Sequence, residues 1–168
     1  MIALFPGSFD PVTLGHLDIL KRGAQLFDQV IVAVLNNPAK SPLFTVQERI
    51  DLLRESAADI PGIQFESYSG LLADFARKRE IHYILRGVRS EADFAYEMPM
   101  AQANKQLTDE LETIIMVTNH AYAYMSAGLI REIAAAGYAS IFESGFDDKV
   151  LDQWVTPTVK NMLKNKFM

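Results

Sequence analysis

Five short apolar runs alternate along the chain with longer stretches in which apolar side chains return every three or four positions. The first run, Ile2 to Phe5, stops at Pro6-Gly7. From Gly15-His16 onward apolar residues recur at Leu17, Leu20, Ala24 and Phe27, the period of a helix with one buried face. Val30 to Leu35 is apolar without interruption, as a strand buried on both faces of a parallel sheet requires, and Asn36-Asn37-Pro38 ends it. Thr45 and Glu48 have the spacing of a reciprocal helix cap, and Ile50, Leu52, Leu53 and Ala57 line the helix it opens, which closes at Pro61-Gly62. Ile63 to Phe65 predicts a short strand, Leu71 to Lys78 a helix, and Tyr83 to Leu85 a strand that stops before Arg86-Gly87.

Glu91 to Leu107 predicts one helix, with Pro99 expected to bend it or mark a boundary, because proline lacks an N–H and crowds the preceding turn. Thr113 to Val117 is the last core strand. Ser126 caps a helix predicted to reach Ala136, with Gly137 just beyond it, and Thr156-Pro157 supplies the cap and first position of a terminal helix. Tyr138 to Val155 has no clear period. Strands alternating with helices, joined by right-handed crossovers, specify an α/β fold with an open parallel sheet flanked by helices.

Composition narrows this picture. At 168 residues, 49% hydrophobic and 22% charged, the chain predicts a single domain over residues 1–168, with a C-terminal helical segment over about 138–168. With 16 Lys and Arg against 21 Asp and Glu the net charge is −5, which argues against nucleic acid or an anionic membrane as partner and requires any anionic ligand to be held by a local cluster. The absence of cysteine excludes disulfides, thiolate chemistry and cysteine-based zinc sites. His82 and His120 lack partners at metal-ligand spacing, so no protein-held metal is predicted. The apolar start, Met1 to Phe5, is too short for a signal-peptide core, which leads to the expectation of a cytoplasmic protein.

In an open α/β sheet ligands bind beyond the carboxyl ends of the strands, so the loops there carry the candidate chemistry. The first loop runs from Pro6 to His16 and brings backbone amides, the Ser8 hydroxyl and an imidazole to a helix N-terminus, where free N–H groups and a partial positive charge suit phosphate. Lys40 follows the second strand, and Arg86-Gly87-Val88-Arg89 the fourth, so three cations are expected on one edge. That is the chemistry of a site for several phosphates.

The run Pro6-Gly7-Ser8-Phe9-Asp10-Pro11-x-Thr13-x-Gly15-His16 resembles the first signature of the phosphopantetheine adenylyltransferases, in which a threonine replaces the first histidine of the superfamily's His-x-Gly-His motif. Phe44-Thr45-x-x-Glu48-Arg49, Leu85-Arg86-Gly87-Val88-Arg89, Ala92-Asp93-Phe94-x-Tyr96-Glu97-Met98 and Leu111-Glu112-Thr113 continue the likeness over most of residues 1 to 136. The resemblance implies a Rossmann-like, dinucleotide-binding nucleotidyltransferase fold. It also implies transfer of the adenylyl group of ATP to 4′-phosphopantetheine, giving dephospho-coenzyme A and pyrophosphate in coenzyme A synthesis. Magnesium carried mainly by the ATP phosphates, a homohexamer, and feedback binding of coenzyme A belong to the same expectation.

Carried onto this chain, the resemblance places Ser8, Lys40, Leu72 and Arg86 on the acceptor. It places Ser8, Phe9, His16, Gly87, Val88, Arg89, Glu97 and the segment Tyr122, Ala123, Tyr124, Met125, Ser126, Ala127, Gly128 around ATP. Catalysis would fall to His16 at the α-phosphate, Lys40 between the two anions and Arg89 on the nucleotide phosphates. Glu97 has two readings, an ion pair that orients an arginine or a ribose contact. Asp10 is expected to brace the first loop.

Two features depart from the family. Met125-Ser126-Ala127-Gly128 stands where it has Ile-Ser-Ser-Ser, and the stretch from Gly137 to Pro157 is about ten residues longer than its usual connection. The alternatives are a superfamily member acting on another phosphorylated acceptor, such as nicotinamide mononucleotide or, with CTP, an alcohol phosphate, and a catalytically weakened nucleotide-binding regulatory protein.

Overall fold

The β-branched runs pair as five parallel strands: β1 (Ile2–Gly7), β2 (Gln29–Leu35), β3 (Ile63–Tyr68), β4 (Tyr83–Val88) and β5 (Glu112–Val117), in the spatial order β3-β2-β1-β4-β5. The helices between and after them are α1 (Leu14–Leu26), α2 (Val46–Ser56), α3 (Leu72–Lys78), α4 (Glu91–Leu107), α5 (Ala127–Ala139) and α6 (Pro157–Phe167), with short 3-10 turns at His120–Tyr122 and Asp148–Gln153. The structure is a computed structural model that describes residues 1–36, 41–139 and 145–168, so Lys40 lies outside the described residues. Among them no helix is long and apolar enough to cross a membrane.

Alternation along each strand divides the interior in two. Ala3, Phe5, Val30, Val32, Val34 and Leu85 face one side, where Ile19 and Leu20 of α1, Leu52 and Leu53 of α2, Ile130 of α5 and Val159 and Leu163 of α6 cover them. Leu4, Ile31, Ala33 and Ile84 face the other, against Ala73 and Ala76 of α3. Both faces of the central strands are therefore dry, which is why their sequences read as unbroken apolar runs.

α1 lies against β4 at glycine contacts. A methyl group on Gly23 of α1 would stand 2.5 Å from Leu85 Cδ2, and one on Gly87 of β4 would stand 2.7 Å from Ile19 Cγ1. Close approach at these two points brings the helix that starts near His16 onto the strand that ends near Arg89.

Three sequence expectations are corrected and one is met. β1 continues through Pro6-Gly7, which pair with Ala33 and Val34 of β2; the proline costs nothing on the other side because β1 and β4 pair only at Ala3 with Tyr83 and at Leu4 with Ile84. β4 continues through Val88, so Arg86 and Gly87 sit in the strand, paired with Ile115 and Met116 of β5, and not in a loop after it. α4 spans Glu91–Leu107 as the sequence predicts, with Pro99 inside it and no boundary there: this turn is exposed, and water can satisfy the carbonyl that proline leaves without its N–H. α5 runs past Gly137 to Ala139, because this glycine is not a cap but the point where the Phe146 ring comes within 2.6 Å of where a Cβ would be.

The unpatterned stretch 138–155 gives the end of α5 and the 3-10 turn Asp148–Gln153, which buries Leu151 and is tied to α6 by Lys160 on Asp152 at 2.6 Å. The Trp154 carbonyl then accepts the N–H of Leu14, the first residue of α1.

Replacing Gly23 by alanine should lower stability. The helix-propensity gain of about 1 kcal/mol is outweighed by overpacking against the fully buried Leu85, typically about 1–3 kcal/mol. A urea midpoint that rises in Gly23→Ala would contradict the packing described here.

Candidate active site

The strand order places β1 beside β4 while the chain leaves them in opposite directions, the switch point at which a crevice opens at the carboxyl edge of a parallel sheet. Beyond Leu4 the two strands no longer pair, and a cleft of about 360 Å³ fills the gap. Ser8, Phe9, His16, Arg86, Gly87, Arg89, Glu97, Met125, Ser126 and Ala127 of the predicted set line it. Val88, Tyr122, Ala123, Tyr124, Gly128 and Leu72 do not. Val88 turns into the core by strand alternation, Tyr124 is 91% exposed, and Leu72 packs against the apolar cluster on the α3 side of the sheet.

His16 is the third residue of α1, and its ring is fixed by the helix cap. Thr13 accepts the His16 N–H on Oγ1 at 3.3 Å, and the Thr13 N–H donates to His16 Nδ1 at 3.0 Å, the reciprocal arrangement usually completed by Glu or Gln. A backbone N–H can only donate, so Nδ1 carries no proton and the neutral ring bears its hydrogen on Nε2. Burial, reinforced by the positive charges of Arg89 and then Arg86, lowers the His16 pKa from 6.5 to about 4. His16 is therefore an uncharged donor at neutral pH. Phe9, at φ 48° in the left-handed region and buried, is wedged edge-on between Phe5 and the His16 ring, at centroid distances of 5.4 and 5.1 Å.

The two arginines are held alike. Arg86 Nε donates to Glu97 Oε2 at 2.7 Å, Nη2 to Glu97 Oε1, and Nη1 to the Pro6 carbonyl at 2.6 Å across the strand gap. Arg89 Nε and Nη2 donate to Asp93 at 2.8 and 3.0 Å, and Nη1 to the Met125 carbonyl at 2.9 Å. Asp93 also accepts the Arg89 N–H, and its hydrogen bonds with Arg89 hold its carboxyl below the usual range. A guanidinium has five N–H bonds, so each side chain keeps one on either terminal nitrogen for a ligand while its direction is fixed. Of the two readings of Glu97, the ion pair with Arg86 is the one present.

The first loop is braced from beneath. Asp10, buried, accepts the N–H groups of Phe44 at 2.9 Å and Leu43 at 3.0 Å and pairs with Arg131 of α5. Arg49 of α2, also buried, donates to the carbonyls of Ser8 at 2.8 Å and Leu35 at 3.1 Å. Sequence reasoning did not assign Arg49, Thr118, Asp93 or Tyr96 to the site; the spacing of Arg89, Asp93 and Glu97, four residues apart in turn, was the available signal for the carboxylates.

A five-stranded parallel sheet with a phosphate-suited crevice at its switch point defines the Rossmann-like nucleotidyltransferase fold. The sequence profile described as cytidylyltransferase-like matches residues 4–133, and the chain belongs to that family. Every residue lining the cleft falls within the matched stretch.

Solved structures share the fold. A Vibrio parahaemolyticus protein provisionally named a nicotinate-nucleotide adenylyltransferase matches at 18% identity and TM-score 0.65, covering 98% of this chain and 91% of its own. The Plasmodium falciparum nicotinic acid mononucleotide adenylyltransferase, solved with NaAD, matches at 12% and 0.66, covering 98% and 93%. A lipopolysaccharide core biosynthesis protein of Thermoplasma volcanium matches at 20% and 0.51, covering 71% and 96%.

The His16 shift gives a pH prediction with a definite sign. Between its folded pKa of about 4 and the ordinary 6.5, the unfolded chain binds the proton and the native one does not. This penalty is absent above pH 6.5, grows as pH falls, and is complete below about 4. Denaturation of wild type and His16→Gln across pH 4 to 7.5 should show the wild type losing more stability on acidification. Parallel curves would contradict the assignment.

Proposed function

We propose that the protein transfers the adenylyl group of ATP to 4′-phosphopantetheine, forming dephospho-coenzyme A and pyrophosphate. The observation that carries the reaction class is the uncharged His16 donor facing the same crevice as two arginines with N–H bonds to spare. An oxygen of the acceptor phosphate attacks the α-phosphorus of ATP; that O–P bond forms while the bond from the α-phosphorus to the bridging oxygen breaks, and pyrophosphate leaves with the electron pair. His16 Nε2–H donates to the α-phosphate as charge builds, Arg89 holds the nucleotide phosphates, and Arg86 with Ser8 orients the acceptor. Lys40 is assigned to the space between the two anions on the strength of the sequence likeness.

The site favours an acceptor that is already ionised. His16 holds its proton on Nε2 and its Nδ1 is occupied, while Asp93 and Glu97 are engaged by arginines. No free base faces the cleft among the described residues, and a phosphate monoester needs none. The choice of phosphopantetheine among phosphorylated acceptors rests on the sequence: Thr13 before His16, and the Arg86-to-Glu97 block. Magnesium would arrive with the nucleotide. Among the described residues no three His, Asp or Glu side chains come together as a ligand set, so the ion would be held by phosphate oxygens and would add charge neutralisation there. A homohexameric, cytoplasmic enzyme with feedback binding of coenzyme A completes the proposal.

Pyrophosphate release from ATP and magnesium should be seen with 4′-phosphopantetheine and exceed that with nicotinamide mononucleotide or glycerol phosphate offered in parallel. No turnover with the first acceptor would overturn the substrate assignment; no turnover with any would overturn the reaction class. His16→Ala should lower kcat on the order of 10²- to 10³-fold. Arg86→Ala should raise the acceptor KM as well as lower kcat, and an effect on the ATP KM alone would show its role to be exchanged with that of Arg89.

A further inference from the structure

The connection from β5 to α5, with the first residue of that helix, supplies one wall of the cleft through Thr118, Met125, Ser126 and Ala127. Of its large apolar side chains Met125 packs against the core, whereas Val117 is 69% and Tyr124 91% exposed. At its far end the Met125 carbonyl rests on Arg89 Nη1. At its near end two side chains of α1 grip the backbone. Asp18 Oδ2 accepts the Asn119 N–H at 3.0 Å, and Arg22 Nη1 donates to the Val117 carbonyl at 2.8 Å while pairing with Asp18 at 3.1 Å. Asn119, so placed, caps the turn His120–Tyr122 by accepting the Ala121 N–H on Oδ1 at 3.0 Å. That turn lies against the start of α1, where a methyl on Gly15 would be 3.4 Å from Tyr122 Cβ.

An Asp–Arg pair four residues apart on a helix contributes little to global stability, a few tenths of a kcal/mol. The two backbone contacts are of another kind. They join α1 to residues 95 and 101 positions away, at the point where the cleft wall begins. We infer that Asp18 and Arg22 are positioning residues that hold the 117–126 connection against the His16 helix and thereby set the affinity for the nucleotide. The inference rests on the nucleotidyl-transfer reading. Neither side chain lines the cleft; they act through the backbone of Val117 and Asn119, and so on the nucleotide side while leaving the acceptor side, Ser8 and Arg86, in place.

The test measures ATP binding by calorimetry, together with kcat and both KM values, for wild type, Asp18→Ala, Asp18→Asn and Arg22→Ala. Asp18→Ala should raise the ATP KM and Kd about tenfold, with kcat and the acceptor KM within about twofold. Asp18→Asn keeps an oxygen for the Asn119 N–H and should recover most of that loss. Chymotryptic cleavage at the exposed Tyr124 should quicken in Asp18→Ala. Should that variant not fold, Arg22→Ala, whose side chain is 41% exposed, carries the same expectation. Wild type that binds ATP with variants that bind it equally well would overturn this inference alone, as would ATP and acceptor KM rising together. Wild type that binds no ATP would overturn it along with the functional reading.

Discussion

The chemistry of the site depends on one hydrogen bond inside a helix cap, from the Thr13 N–H to Nδ1 of His16. In most reciprocal caps the third helical residue is an acid or amide and its role ends at the helix terminus. Here the partner is an imidazole, so the bond that closes the cap also decides which ring nitrogen keeps the proton. Protonating Nδ1 would set two N–H groups against each other, and burial beside Arg89 and Arg86 opposes a second positive charge. The result is a neutral ring lining the crevice with its one proton on Nε2.

The arginines complete a site whose charge is fixed before a ligand arrives. Asp93 and Glu97, one helical turn apart on α4, each take two guanidinium N–H groups, Glu97 from Arg86 of β4 and Asp93 from Arg89 just past its end. Carbonyls of Pro6 and Met125 take a third from each. Under the proposed function such pairing would cost some attraction for phosphate but spare the entropy of ordering two long side chains at the moment of binding. The parting of β1 from β4 after Leu4 creates the space, and the glycine contacts of α1 on β4 keep His16 beside it.

Much of the fold was legible because parallel strands buried on both faces leave unbroken apolar runs such as Val30 to Leu35, and because Thr45 with Glu48 marks a helix start in four residues. The ends of strands were not legible. Arg86-Gly87 reads as a loop, since nothing in the local sequence shows that β5 goes on pairing with β4 after β1 has left it. Gly137 reads as a cap because the ring that explains it, Phe146, belongs to a stretch with no period. At the site, residue types at strand ends pointed to Ser8, His16, Arg86 and Arg89, whereas Arg49 and Asp18 act on backbone groups distant in the chain and leave no spacing to read.

The proposed chemistry turns on the protonation of one ring, which nitrogen NMR observes directly. Long-range ¹H–¹⁵N correlation of His16 at pH 7 should give one bare nitrogen, Nδ1, and one protonated nitrogen, Nε2, and the pattern should hold down to about pH 5. A proton on Nδ1, or a ring doubly protonated at pH 6, would contradict it.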